Sequence, residues 1–208
     1  MALINILLYI KSIFLQWLYM FIAPLENLNM LWILFPVLIN WAVTEFYQEK
    51  KGTSIGNAIT NGVVALLVGM DWIRTATGDL ANERITLSVF GTYLIISLLM
   101  ISYGLFITIS GIRLKKRAKY IGRITEVTYF TLMFTPIIYG IVELSFDVLV
   151  AIIVFFPVFY FIVQFLDLVI PDPKTYEQEE MENQYKNKLF TDIDNSPPMF
   201  RGNSNIRY

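Results

Sequence analysis

Six stretches of about 20 mostly apolar residues constrain this chain more than any other feature. They run at about 3–23, 28–46, 55–74, 86–111, 122–143 and 147–170. Each has roughly the length an α-helix needs to cross the hydrocarbon core of a bilayer. The apolar runs are continuous rather than alternating, which points to helices and not to a barrel. With 56% hydrophobic and 16% charged residues among 208, a soluble fold could not hide this much apolar surface. The expected fold is therefore an all-α integral membrane protein, a bundle of six transmembrane helices over residues 1–170. A short polar, acidic cytoplasmic tail completes the chain at 171–208.

Turn chemistry falls between the stretches: Pro24 with Asn27, Lys50-Lys51-Gly52, Thr77-Gly78-Asp79, and a basic loop. Asp172 between Pro171 and Pro173 closes the last stretch, because proline cannot continue a helix and restricts the residue before it. The basic loop at 112–123 carries Arg113, Lys115, Lys116, Arg117, Lys119 and Arg123 and no acid, so it is expected on the cytoplasmic side. Counting helices from it puts both the N- and C-termini inside. Trp32 and Trp72 then fall near the outer interface, and Trp41, Tyr47 and Tyr120 near the inner one.

The first stretch has an alternative. Asn5, Tyr9, Ser12, Gln16 and Tyr19 recur every three or four residues and form one polar face. Such a helix either crosses with that face turned into the bundle or lies in the interface, leaving five crossings. It is read as retained rather than cleaved: Lys11 lies mid-stretch and no small-x-small pattern comes after it.

In the tail, Thr175-Tyr-Glu-Gln178 resembles a capping box that opens a short helix to about Phe190, with Tyr185 and Leu189 four apart. From Asp194 onward the composition is that of a disordered end.

The chain has no cysteine and no histidine, which removes disulfides, thiolate nucleophiles and imidazole ligation of zinc or haem. It has no Walker A loop, no Gly-x-Ser-x-Gly and no His-Glu-x-x-His. Asp192 and Asp194 in the tail read as helix-end polarity. No enzyme, cofactor or metal site is expected, and no nucleic-acid partner.

The fifth stretch holds the sharpest pattern. At 100° per residue, Thr125, Thr128, Thr131, Thr135, Tyr139 and Glu143 fall within an arc of roughly 120°. At 1.5 Å per residue the row would be roughly 27 Å long, close to the thickness of the hydrocarbon core. A hydroxyl stripe of that length could line a wet path; equally, threonines bond back to their own helix or bridge to another. Pro136 is expected to free the Leu132 carbonyl and bend the helix.

Ala58, Gly62, Ala65 and Gly69 form a small-residue seam on the third stretch, and Ser97, Gly104 and Gly111 another on the fourth. Such seams let helix backbones approach closely, within one chain or between copies. Asn57 and Asn61 lie beside the first seam, as polar ligands or interhelical hydrogen-bond partners, and Thr53 or Ser54 can cap that helix. The acids Glu45, Asp71, Glu126, Glu143, Asp147 and Asp167 sit near stretch ends, solvated or paired, Asp71 with Arg74 for example.

Two functions fit. One is a small channel or transporter for an ion or small polar solute, lined by Thr128, Thr131, Thr135, Tyr139 and Glu143 with Asn57 and Asn61 opposite. The other is a non-catalytic subunit or scaffold that binds a partner complex through its helix faces and tail; a channel or transporter could itself be a homo-oligomer. The basic loop sets topology, and its cations could also hold anionic lipid head groups or the acidic tail.

Overall fold

The computed structural model describes residues 2–48 and 53–170, together with Met181, Gln184, Tyr185 and Lys188. Those last four are helical and fall within the short tail helix expected from the sequence. The rest of the tail, including the capping box, Asp192, Asp194 and the polar end, lies outside the described residues, as does the Lys50-Lys51-Gly52 turn. The chain divides into two units at Ile170 and Pro171, and the first, Met1–Ile170, holds the helical bundle.

Every regular element among the described residues is helical. Among the described residues of Met1–Ile170 seven α-helices succeed one another: α1 (Ala2–Ile22), α2 (Leu31–Val43), α3 (Ile55–Ala81), α4 (Leu87–Ile112), α5 (Ala118–Ile121), α6 (Ile124–Ile138) and α7 (Phe146–Val169). Two 3₁₀ turns, Ala23–Leu25 and Leu28–Met30, link α1 to α2, with Pro24 opening the first and Asn27 capping the second. A π-helical turn, Thr44–Gln48, extends α2.

Among the described residues four segments are long and apolar enough to cross a membrane: Ile4–Leu25, Leu28–Tyr47, Leu87–Ile112 and Phe146–Val169. The other two expected spans fall short for different reasons. At 27 residues, or about 40 Å, α3 has the length, but Asp71, Arg74 and Asp79 dilute its apolar character. At 15 residues, or about 22 Å, α6 is shorter than a span needs.

Twelve of the fifteen α6 residues are buried, and the other three, Glu126, Phe130 and Phe134, are half-buried and spaced four apart on one narrow face, so α6 is covered by the chain on most of its circumference. Around it, side-chain bonds tie the bundle together. The Trp17 indole of α1 donates to Tyr129 Oη at 3.1 Å, and Tyr129 in turn donates to the Ile152 carbonyl of α7 at 2.6 Å. Trp17 also packs edge-on against Phe21, and Tyr129 lies 4.9 Å from the Phe159 ring.

The tightest packing is between α3 and α4, which run antiparallel. A Cβ built on Gly104 would sit 2.6 Å from the Gly62 carbonyl and 2.9 Å from the Leu66 amide. One on Gly69 would sit 2.9 Å from the Ser97 carbonyl. The two small-residue seams therefore face each other within the chain, backbone on backbone.

Three helices end in the same motif, with the residue after the cap in the left-handed region and paired backbone bonds closing the last turn. For α6 the residue is Gly140 (φ 71), with Gly140 N–H on the Ile137 carbonyl and Ile141 N–H on that of Pro136. For α3 it is Glu83 (φ 57), and for α4 it is Leu114 (φ 51).

Three expectations change. Thr77-Gly78-Asp79 is not a turn; it lies inside α3, whose cap is Asn82. The polar face of α1 does not turn into the bundle. Ile13, Trp17 and Met20 form the buried face, while Asn5, Tyr9, Ser12 and Tyr19 are exposed and only Gln16 of that polar row is half-buried. Tyr9 and Tyr19 instead find carboxylates outside the core, Asp147 at 2.9 Å and Glu26 at 2.8 Å. Trp72 belongs to no interfacial belt: it is 1% exposed and one of the largest core side chains.

Candidate functional site

The threonines of α6 make the most concentrated buried polar group. Thr125, Thr128, Thr131 and Thr135 are each 0% exposed. With all four fully covered, this face looks onto other helices and not onto an open water path. Thr125 donates to Glu45 Oε2 at 2.5 Å. Thr131 bonds back to the Val127 carbonyl at 2.7 Å. Thr135 accepts the Trp72 indole N–H at 3.0 Å. The Thr128 hydroxyl, one turn on from Thr125, has no hydrogen-bond partner.

Polar groups close the row at both ends. At one end stands Glu45, carried inward on the π turn and 8% exposed. A π turn widens the helix by one residue and so re-aims the side chains beyond it. Arg123 and Asp167 are near enough to act on Glu45 electrostatically. Arg123 itself stacks over the Tyr160 ring at 5.1 Å and donates to its hydroxyl. Beside them Asn61, 1% exposed, donates from Nδ2 to the Gly122 carbonyl at 2.8 Å and so pins the segment entering α6.

At the other end Tyr139, the cap of α6, donates to Asp71 Oδ2 at 2.8 Å, and Asp71 Oδ1 holds Arg74 at 2.6 Å. The spacing of three between Asp71 and Arg74 suggests that pair, and the structure forms it. Arg84 and Asp79 pair at 3.3 Å. Between them opens a polar cavity of about 420 Å³ lined by Asn27, Asn29, Arg74, Asp79, Arg84 and Tyr139, among others.

The remaining candidates distribute unevenly. Glu143 does not continue the threonine row: α6 ends at Ile138, and Glu143 is exposed in the segment before α7. Pro136 sits in the last turn of α6, where its carbonyl accepts the N–H groups of Ile141 and Val142. Asn57 is half-buried at the start of α3, where Ser54 is the cap and its hydroxyl accepts the Asn57 backbone N–H at 3.0 Å. Ala58, Gly62, Ala65 and Gly69 are all buried, as are Ser97, Gly104 and Gly111. Arg113, Lys115, Lys116, Arg117 and Lys119 are exposed, whereas Arg123 is half-buried against Tyr160. Among the described residues no three His, Cys, Asp or Glu side chains group to hold a metal ion.

Sequence reasoning misses Glu45, Trp72 and the cavity. A carboxylate at the apparent end of an apolar run reads as solvated, and no local pattern announces a π turn. Trp72 reads as terminal only if α3 stops at 74; the helix continues to Ala81, which places Trp72 well inside. No protein-family model matches this chain, nor does any curated protein or solved structure.

Proposed function

We propose that this is a six-crossing membrane transporter, closed at both ends of a path along the threonine face of α6, that moves an ion or small polar solute. One observation carries the reading: a row of hydroxyls, fully buried, runs between two polar ends and has an unbonded member, Thr128, within it. An unpaired buried hydroxyl costs free energy unless something visits it. The Asp71–Tyr139 end, with its cavity, is the entrance. The Trp72–Thr135 bond closes the row below it, and the Thr125–Glu45 bond closes the far end. Orientation is inferred from the exposed cations of the α4–α5 turn, which put that turn and both termini on the cytoplasmic side.

Two hinges are available for opening: the Pro136–Gly140 terminus of α6, and the π turn that holds Glu45. The six-crossing count draws on the length of α3, about 40 Å, and on the burial of most of α6, which lets a helix too short to span lipid by itself sit within protein.

Flux of ions and small polar solutes into proteoliposomes tests this. Thr128→Val and Glu45→Gln are expected to lower flux at least about tenfold, while Glu143→Gln, off the row, leaves it unchanged. Flux indifferent to Thr128 and Glu45 would sink the path. No flux across a broad panel would leave the alternative, a non-catalytic subunit recognised by its helix faces and tail.

A further inference from the structure

We propose that the turn joining α4 to α6 is a docking surface for the phosphodiester head groups of anionic lipids. Arg113, Lys115, Lys116, Arg117 and Lys119 are all exposed, and none pairs with an acid among the described residues. The turn begins where α4, one of the four helices able to cross a membrane, ends. That position is head-group depth, where each Lys or Arg adds to attraction for an anionic leaflet. Arg117 folds back so that its guanidinium lies 5.0 Å from the Phe106 ring, and Phe106 is itself half exposed on the flank of α4. One cation is thus held beside the lipid-facing side of the helix rather than out in water.

Leu114 makes the case for lipid rather than water. It occupies the left-handed region at φ 51, a conformation that glycine adopts freely and a leucine does not. The helix-ending bonds hold it there: Leu114 N–H to the Gly111 carbonyl at 2.8 Å and Lys115 N–H to that of Ser110 at 2.9 Å. Yet its side chain is 71% exposed, so no side-chain packing within the chain adds to those bonds. Tyr120, 79% exposed on α5, is the second large side chain left outside. An apolar tip and a phenol set among five cations have a common environment at the boundary of head groups and acyl chains. The inference needs α4 to cross a bilayer, and it stands whether or not the chain transports anything.

The test is thermal unfolding of the purified protein in detergent, with phosphatidylglycerol, phosphatidylcholine or inorganic phosphate added. Phosphatidylglycerol is expected to raise the unfolding temperature well above the other two additions, and less so in high salt. In Lys115→Gln/Lys116→Gln, half-maximal stabilisation should need roughly 30-fold more phosphatidylglycerol, two cations' worth of head-group attraction. Leu114→Gly should raise the basal unfolding temperature while weakening the lipid response. The comparison variant Glu83→Gly, on the other helix end, should raise the first and leave the second unchanged. Equal shifts from phosphatidylcholine or inorganic phosphate would overturn the proposal. So would a full phosphatidylglycerol response in the double lysine variant.

Discussion

Thr125 Oγ1 lies 2.5 Å from Glu45 Oε2, joining the first turn of α6 to the π turn that ends α2. The two residues are 80 apart in sequence and both are buried. Hydrogen bonds to acidic groups in such surroundings are worth more than those between neutral partners. Thr125→Val keeps the shape of the side chain and removes the donor. It is expected to cost about 1.5–3 kcal/mol of stability, measured as a lowered midpoint in detergent unfolding. Thr125→Ser, which keeps the hydroxyl, should lose less than half of that. If the two variants unfold alike, the bond contributes nothing.

The seams of α3 and α4 predict opposite outcomes for the same substitution at different glycines. Gly104→Ala places a methyl 2.6 Å from the Gly62 carbonyl and 2.9 Å from the Leu66 amide, both backbone atoms. The helices must separate, at about 1–3 kcal/mol. Gly91, on the same helix, has nothing within 4 Å of its would-be Cβ. Gly91→Ala should therefore stabilise by up to about 1 kcal/mol through helix propensity alone. Unfolding midpoints of the two variants settle it; destabilisation at both positions would mean that close approach is not what distinguishes them.

How much of this was legible in the sequence depends on what kind of signal each element leaves. Helices α1, α4 and α7 show as apolar runs, and the facing glycines of α3 and α4 show as spacings of seven or of three and four. The threonine row shows too, because 100° per residue is enough to put Thr125, Thr128, Thr131 and Thr135 on one side. Ends are harder. Pro136 and Gly140 are both tolerated inside membrane helices, so the sequence does not say that α6 stops between them; the paired bonds onto Ile137 and Pro136 decide it. Glycine misleads the other way at Gly78, which reads as a turn but lies inside α3 with open space around it. Glu45 is illegible because its burial depends on a π turn and on a threonine 80 residues away.

The left-handed positions yield a paired prediction. At Gly140, φ is 71 and no atom lies within 4 Å of a built Cβ, so Gly140→Ala meets no clash and is penalised by backbone conformation only. About 1 kcal/mol should be lost. Glu83 occupies the same kind of position at φ 57 with a side chain already present. Glu83→Gly should gain up to about 1 kcal/mol. Denaturant midpoints with unchanged slope would identify both as stability effects; a gain at Gly140→Ala would contradict the helix-end geometry.

Topology can be read directly, because the chain contains no cysteine. Ala81→Cys, exposed at the end of α3, and Lys116→Cys, exposed beyond α4, lie at opposite ends of the 26-residue α4. About 39 Å separates the ends of such a helix, enough to cross the hydrocarbon core. In intact cells an impermeant maleimide should label Ala81→Cys and spare Lys116→Cys until the membrane is opened. Labelling of both from outside would remove α4 as a crossing, and the reverse pattern would invert the bundle.

Trp72 and Glu143 separate the proposed closed path from the longer one the sequence suggests. The Trp72 indole is 1% exposed and its N–H ends on Thr135 Oγ1 at 3.0 Å. Thr135→Val leaves a buried donor unsatisfied, at about 1–3 kcal/mol, and at the same time removes the contact that closes the row below the cavity. Stability should fall while the row becomes easier to open, so Thr135→Val is expected to leak solute faster than the wild-type chain in proteoliposomes. Glu143→Gln touches neither effect, since the residue is exposed beyond the end of α6, and should change stability by less than about 0.5 kcal/mol and flux not at all. The two readouts are independent. A Thr135→Val variant that is destabilised but no leakier keeps Trp72 as a structural bond and takes away its role as a gate. A Glu143→Gln variant that stops flux would put the path back along the longer row, which the observed end of α6 does not support.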